Sequence, residues 1–516
     1  MDSKVFAFVL YFIAVLAIGI YFFIRSKSGG DKEYFLGGRS MGPWVTAMSA
    51  QASDMSGWLL MGFPGSILAL GMGQVWIGIG LAIGTILNWL LVARRLRRFS
   101  KAASDSITLP QYLTNRFASK SSILKIVCAV IFLISFTVYV ASAFNAGTTV
   151  FITVLPQLEG KETLAMIIFA VIILIYTFMG GFKAVSWTDF FQGLLMLVAL
   201  LAVPIVMVAL GDFDASKTEA FAEGVNAFSS NPFKAPWQEI VSGLAWGFGY
   251  FGMPHILVRF MAVKNSKMIK KSSAVAITWL IITLVAAIAI AFLGRTYLLD
   301  SGTALAEKIL PGNQARVFIE VVLDIFPGFI AGLLLAAIVA ASMSTADSQL
   351  LVASSSFTSD IYNPIIRKNK ASEKETLWVG RIVVVVIAIV AFFIAKSGYN
   401  NADSWASSIM SMVENAWGLF GASFGPVVIL SLFWKRFNYP GAVAGILGGA
   451  IVDILWLVLF TDTVMTPVIF DTQVYEIFPG FVAGAVIAVV VTLLTKAPSQ
   501  EVYDICDKAL DKSIDD

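Results

Sequence analysis

Three stretches of this chain set oxygen-bearing or ring-bearing side chains inside otherwise apolar sequence. The first, Trp44 to Trp58, places Gln51, Ser53, Asp54, Ser56 and Gly57 at its middle. A carboxylate at that depth costs several kcal/mol unless it faces protein or water, so Asp54 is a functional candidate. The alternative is an Asp that pairs within the bundle or caps a helix. Gly costs about 1 kcal/mol in a helix, and Ser and Asp compete for backbone hydrogen bonds, so the cluster predicts an unwound joint at Ala52 to Gly57. The second stretch, Ala245 to Pro254, holds three glycines and a proline among four aromatic residues. Pro254 frees a carbonyl one turn earlier, beside Tyr250, which predicts a second broken helix; close helix packing through the glycines is the competing reading. The third, Ala341 to Gln349, brings Ser344, Thr345 and Asp347 together. Such hydroxyls commonly bond their own i−4 carbonyl, but hard oxygen donors without imidazole or thiolate suit an alkali cation.

The elements that must hold these residues follow from composition. Of 516 residues 58% are hydrophobic and 13% charged, with mean hydropathy +0.83. Soluble domains carry about 25% charge, so one polytopic membrane domain is predicted. Long continuous apolar runs select helices over a barrel, about thirteen of them, centred near residues 14, 57, 83, 138, 171, 199, 249, 284, 342, 387, 419, 451 and 487. The run Val5 to Ile24 is too long for a signal-peptide core, lacks a small-residue cleavage site and has Arg25 and Lys27 behind it, so it reads as a retained span starting outside. An odd number of spans then leaves the tail inside, and the loops agree. Arg39, Arg94 to Lys101, Lys264 to Lys271 and Arg367 to Lys374 fall inside, whereas outside loops carry isolated cations such as Lys161, Lys217 and Lys308. The interrupted spans are five apart, which inverts one relative to the other. That is the arithmetic of an inverted repeat, in which half-helix ends and freed carbonyls hold carboxylates and Na⁺ at the midplane.

The segments Phe35 to Pro43 and Ser53 to Trp58, then Gly180 to Asp189, Trp246 to Leu257, Met343 to Thr345 and Gly421 to Pro426, resemble the sodium:solute symporter family in order over nearly the whole chain. The resemblance implies an all-α, leucine-transporter-like core of five plus five helices: an extra helix at 5–24, repeats at 43–210 and 236–434, two C-terminal helices at 440–495 and a cytoplasmic tail at 496–516. It implies Na⁺-coupled symport of L-proline across the cytoplasmic membrane. Main-chain carbonyls of Ala52, Met55 and Ala341 and the hydroxyls of Ser344 and Thr345 would hold the sodium ion, with Asp54 in support and Asp189 at a second cation site. Proline would lie against Trp58, Tyr139, Trp246 and Tyr250, shaped by Pro254, with Gln51 or Ser56 as hydrogen-bonding partners. Ser186, Thr188 and Asp189 could instead cap a helix. Arg39 and Arg381 would snorkel, or Arg39 would serve an inner gate; Asp347 and Glu414 have no assigned role.

Other classes are excluded by what the sequence lacks. Lys and Arg number 36 against 33 Asp and Glu, a formal +3 with the basic residues spread by loop, which leaves no nucleic-acid footprint. No G-x-x-x-x-G-K-[ST] phosphate loop occurs, so no nucleotide partner is expected. Two cysteines and one histidine, His255, cannot build a disulfide framework or a Cys/His zinc site, and an enzyme is not expected. Alternatives are symport of another small amino acid or a betaine-like solute, or a membrane solute sensor, which would need an output domain that the short tail lacks. The tail is expected to hold one or two helical turns.

Overall fold

The computed structural model describes residues 2–25, 31–179, 181–211, 229–300, 309, 313–399, 401, 404–461 and 472–515. Lys27, Lys217 and Lys308 lie outside the described residues. Among the described residues the chain is all helical, with one isolated bridge, Met41 to Val263. Ten helices there are long and apolar enough to cross a bilayer. The crossings expected near residues 57, 171 and 249 fall instead on two interrupted segments and the 18-residue helix Glu162–Met179.

The helices used below are α1 (Ser3–Arg25), α2 (Pro43–Asp54), α3 (Trp58–Leu70), α4 (Met72–Ala102), α5 (Ile123–Val154), α6 (Glu162–Met179), α7 (Phe182–Leu210), α8 (Trp237–Ala245), α9 (Pro254–Ala262), α10 (Ile269–Asp300), α11 (Gly328–Ser356), α12 (Glu373–Tyr399), α13 (Ile409–Phe433), α14 (Tyr439–Phe460), α15 (Ile477–Leu494) and α16 (Gln500–Leu510). Helix α11 is the axis: nearly every residue from Leu334 to Ser356 is buried, and α1, α2, α5 and α7 pack around it. Large apolar side chains such as Ile134, Val198, Ile205, Val285 and Phe393 point outward uncovered. A soluble protein could not tolerate so many, but in lipid they are the solvent-facing surface.

Local chemistry sets the boundaries. Proline occupies the first turn of both α2 and α9, where its missing N–H is no loss. Asn438 starts α14 by accepting the Gly441 amide at 3.0 Å. At Gly80 and Gly84 of α4 a Cβ would collide with the backbone of Gly243, Leu244 and Gly247, so the second interrupted segment lies directly on α4. The glycines thus serve close packing as well as the break. In the tail, α16 runs for three turns rather than the one or two expected, because Val502, Cys506 and Ala509 bury one face. Cys128 and Cys506 are both free and buried.

Candidate ion and substrate site

The first break is shorter than the sequence predicts. Residues 52 to 54 remain in α2, and the helix is left only at Met55, whose φ of −85° and ψ of 77° are not helical, before the chain re-enters at Trp58. Ser56 turns its amide to the Asp54 carbonyl at 3.1 Å, so the Ala52 carbonyl loses its helical partner. Another helix takes it over: the Ser344 hydroxyl donates to Ala52 O at 2.9 Å and to Ala341 O at 3.1 Å. Next to it on α11, the Thr345 Oγ1 is buried with no hydrogen-bond partner. Ala52, Ala341, Ser344 and Thr345 therefore meet where α2 crosses α11, with the fully buried Met55 at the break itself. At Gly57 a Cβ would lie 2.7 Å from Ala146 Cβ and 3.0 Å from Ser342 Oγ, so only glycine lets the chain turn between α5 and α11. An orphaned hydroxyl beside a carbonyl freed from its helix is the kind of donor set a small alkali cation takes, and these residues fit Na⁺.

Asp54 organises the next layer. Tyr250 donates to its Oδ2 at 2.7 Å, and its main-chain carbonyl accepts from the Trp58 indole and the Tyr139 hydroxyl, each at 3.2 Å. The aromatic residues expected to contact substrate thus converge, but two of their hydroxyls are committed to Asp54. Gln51 Oε1 faces the Trp89 indole at 3.5 Å, and Ser56 Oγ faces the Trp58 amide at the same distance, both at the outer limit of hydrogen bonding. The Gln51 Nε2 has no partner.

The second break forms where the sequence places it. After α8 the backbone tightens into a 3₁₀ turn from Trp246 to Phe251, leaves helical geometry at Met253, and restarts at Pro254. His255 is buried edge-on to Phe136, with ring centroids 5.8 Å apart, and among the described residues it takes no part in a cluster of metal-ligating residues. A cavity of about 870 Å³ reaches Trp246 from a mouth bordered by exposed Asn231, Lys234 and Pro236. It does not reach Trp58, Tyr139 or Tyr250. Trp246 closes it, stacked on Trp417 at 6.3 Å, tilted over Trp58 at 6.2 Å and packed on Tyr475 at 5.3 Å. Trp417, whose indole donates to the Trp246 carbonyl at 2.8 Å, was not singled out from sequence. Its signal was a tryptophan followed by glycine inside an apolar span.

Asp189 does not cap α7. Gly181 holds the cap position, and Asp189 lies two turns inside, where its Oδ2 meets Arg259 at 3.0 Å and Ser49 at 2.7 Å. The cation next to this carboxylate is therefore the chain's own guanidinium, whose Nε also donates to Ser49 at 2.8 Å. Arg259 also reaches Ser348, but Asp189 Oδ1 keeps no partner. Asp347 is fully buried and within electrostatic reach of both charges. Arg259 went unnoticed in sequence although an arginine five residues past Pro254 in an apolar span is itself a signal.

Arg39 does not snorkel; it is 7% exposed. It donates to Met261 O at 2.6 Å, Ser106 O at 2.8 Å and Ser100 Oγ at 3.1 Å, and pairs with Asp105 at 2.8 Å. Arg97 adds bonds to Val263 O at 2.6 Å and Lys264 O at 2.9 Å. Together they seal the end of α9 opposite the cavity. Arg39 and Asp105 both sit at positive φ, a conformation uncommon outside glycine, though aspartate adopts it more readily than most residues. Desolvation works against the Asp105 carboxylate, but the hydrogen bond from Lys32 and the charge of Arg39 hold its pKa below the usual value. Arg381, half-buried, lies over Trp378 and reaches toward the Phe178 carbonyl at 3.5 Å.

Two helices interrupted five crossings apart, facing one continuous helix that supplies hydroxyls, define a membrane transporter of leucine-transporter-like fold. A family model described as "Sodium:solute symporter family" matches residues 34–449, and the chain belongs to that family. It is similar to the sodium/proline symporter of Escherichia coli (strain K12), 43% identical over 95% of this chain and 93% of that protein. The sodium/proline symporter of Haemophilus influenzae is 41% identical over 98% of both chains. Among solved structures, a substrate-bound, outward-open Na⁺-coupled sialic acid symporter matches with TM-score 0.75 at 21% identity, covering 97% of this chain and 99% of that one. A nucleobase-cation-symport-1 family transporter in a closed conformation matches with TM-score 0.53 at 14% identity, over 92% and 98%.

Proposed function

We propose that this protein carries L-proline into the cell by symport with Na⁺. The observation that carries the reading is the α2–α11 crossing, where Ser344 bridges the freed Ala52 carbonyl and the buried Thr345 hydroxyl has nothing to bond. Sodium arriving there would turn the Ser344 oxygen lone pairs toward itself, with Ala52, Met55 and Ala341 contributing carbonyls and Asp54 a nearby negative charge. Asp54 links this site to the substrate, because Tyr250 bonds its carboxylate while Trp58 and Tyr139 bond its carbonyl. Filling the ion site thus fixes the aromatic wall on which a proline ring and its cationic nitrogen would pack, each face contact being worth about 0.5 to 2 kcal/mol. Gln51, Ser56 and Pro254 complete the proposed pocket. Asp189 is the proposed position of a second cation, through its free Oδ1 with Arg259 retained on Oδ2.

The proposed orientation has the N-terminus outside and the C-terminus inside, which puts the Arg39 and Asp105 seal on the cytoplasmic face and the cavity mouth on the outer face. The structure then corresponds to an outward-facing state with a closed inner gate. Residues 43–210 and 236–434 are the two repeats that would move against each other. Entry of one positive charge releases about 2.3 kcal/mol per 100 mV, to which the sodium gradient adds, enough to concentrate solute without nucleotide. The test is uptake of labelled proline by proteoliposomes. Uptake should require an inward sodium gradient, and equal uptake in sodium and in choline would reject symport. Competition by unlabelled amino acids and betaines ranks the substrates.

A further inference from the structure

Three acidic residues lie away from the α2–α11 crossing: Glu414 on α13, Asp453 on α14 and Glu476 at the start of α15. Asp453 and Glu476 are 2% and 3% exposed, yet neither Asp453 Oδ1 nor Glu476 Oε1 has a hydrogen-bond partner. Both oxygens converge over Gly418 of α13. A Cβ at that glycine would stand 3.2 Å from Asp453 Oδ1, 3.3 Å from Glu476 Oε1 and 3.4 Å from the Tyr475 ring. The absent side chain leaves a cradle. One turn earlier on the same helix, Glu414 lines the cavity together with Glu476, and its main-chain carbonyl accepts the Tyr475 hydroxyl at 2.7 Å. Lys234, exposed at the mouth, is the only basic residue among the described cavity-lining residues. Among the described residues no Lys or Arg pairs with any of the three acids.

Carboxylates gathered without a counter-charge repel one another and are costly to bury unpaired, so the arrangement calls for positive charge drawn from the cavity. The donors are oxygens alone, which selects a hard cation. A divalent cage such as that of Ca²⁺ would want six to eight oxygens, more than the two unpartnered carboxylate oxygens here provide, whereas an alkali ion can keep part of its water shell in the open cavity. We propose that Asp453 and Glu476 above Gly418, with Glu414 at the rim, form an outer site for a partly hydrated sodium ion just behind the cavity wall, entered where Glu414 and Glu476 border the cavity. The site rests on the reading that the cavity faces the sodium-rich side. An ion there would act on the substrate path through Tyr475, which packs on Trp246 at 5.3 Å.

The test is sodium titration of tryptophan fluorescence in the full-length protein in lipid nanodiscs, with choline replacing sodium at constant ionic strength. The signal arises because Trp246 and Trp417 flank the site. Asp453→Asn with Glu476→Gln should raise the half-saturating sodium concentration about tenfold, the lower end of what a charged cleft contributes. In a Ser344→Ala, Thr345→Ala background a residual sodium response should persist, and the two acid substitutions should abolish it. Glu414→Gln, at the half-buried rim, should move the response in the same direction and covers the case in which the double variant fails to fold. An unchanged response in both backgrounds overturns the proposal. A signal that follows pH equally in sodium and choline, or one saturated by calcium at far lower concentration than sodium, overturns it as well. Failure of the α2–α11 assignment looks different: Ser344→Ala with Thr345→Ala would then change nothing while the acid substitutions still did.

Discussion

Thr345→Ala and Ser344→Ala should separate, because the two hydroxyls have different partners before any ion arrives. The Thr345 Oγ1 is buried and unpaired, so deleting it removes no hydrogen bond from the sodium-free protein. Loss of an orphaned polar atom and loss of one methyl group roughly cancel, and stability in choline should be nearly unchanged. Ser344 instead supplies the hydrogen bond to Ala52 O, whose helical partner is already lost, while Ala341 O keeps its place in the α11 ladder, so loss of the Ser344 hydroxyl strands one buried carbonyl at a cost of roughly 1 to 3 kcal/mol, in choline as well. In sodium both lose an oxygen facing a full charge, about 1.5 to 3 kcal/mol, or roughly 10- to 150-fold in sodium affinity. At a concentration 100 times the wild-type Kd, sodium stabilises by about 2.7 kcal/mol; for Thr345→Ala that gain should shrink to between about 0.3 and 1.4. Thermal unfolding of purified protein across a sodium titration reads both quantities. Thr345→Ser, which keeps the oxygen, should restore the sodium response. If Thr345→Ala destabilises the choline form as much as Ser344→Ala does, or if Thr345→Ser is as damaged as Thr345→Ala, the hydroxyl is not an ion ligand and the reasoning fails.

Trp246→Ala removes ring surface and no oxygen donor, so it should weaken proline binding by about 0.5 to 2 kcal/mol or more while leaving sodium affinity within about twofold, measurable by binding at fixed and varied sodium. Arg259→Gln strands the Asp189 carboxylate and should destabilise by about 3 to 5 kcal/mol, with much of the loss recovered in Arg259→Gln, Asp189→Asn because both charges leave together; a double variant no better than the single would break the pairing argument. Asp105→Asn should loosen the inner seal, seen as faster hydrogen exchange at residues 258–264 with the outer ends of α3 and α4 unaffected. The Asp105 pKa is lowered on folding, so its contribution is complete above the usual value of 3.8 and fades only as pH falls below that through the depressed value. Exchange at the seal should therefore not vary with Asp105 ionisation between about pH 5 and pH 8, and a transition inside that window would point to another group.

The membrane class, the helical fold and both breaks were legible in the chain, because each is a local matter. Apolar run length fixes a crossing, and Gly, Pro, Ser and Asp weaken a helix wherever they occur. Ser53 to Gly57 and Gly247 to Pro254 carry that information without reference to any neighbour, and the resemblance to known symporters supplied the proposed ion ligands by position. What the sequence could not contain was partnership across long separations. Ser344 finds the Ala52 carbonyl 292 positions away: the local break frees that carbonyl, but only packing of α11 on α2 brings it a hydroxyl partner. Asp189 looked like a cap or a cation site until folding put Arg259, 70 positions on, against it, and Arg39 looked like a snorkelling side chain until α9 supplied the Met261 carbonyl. Hydropathy and breaker residues act within a turn or two, whereas the charge compensating a buried carboxylate is chosen by whichever helix face packs beside it. That choice exists only in three dimensions.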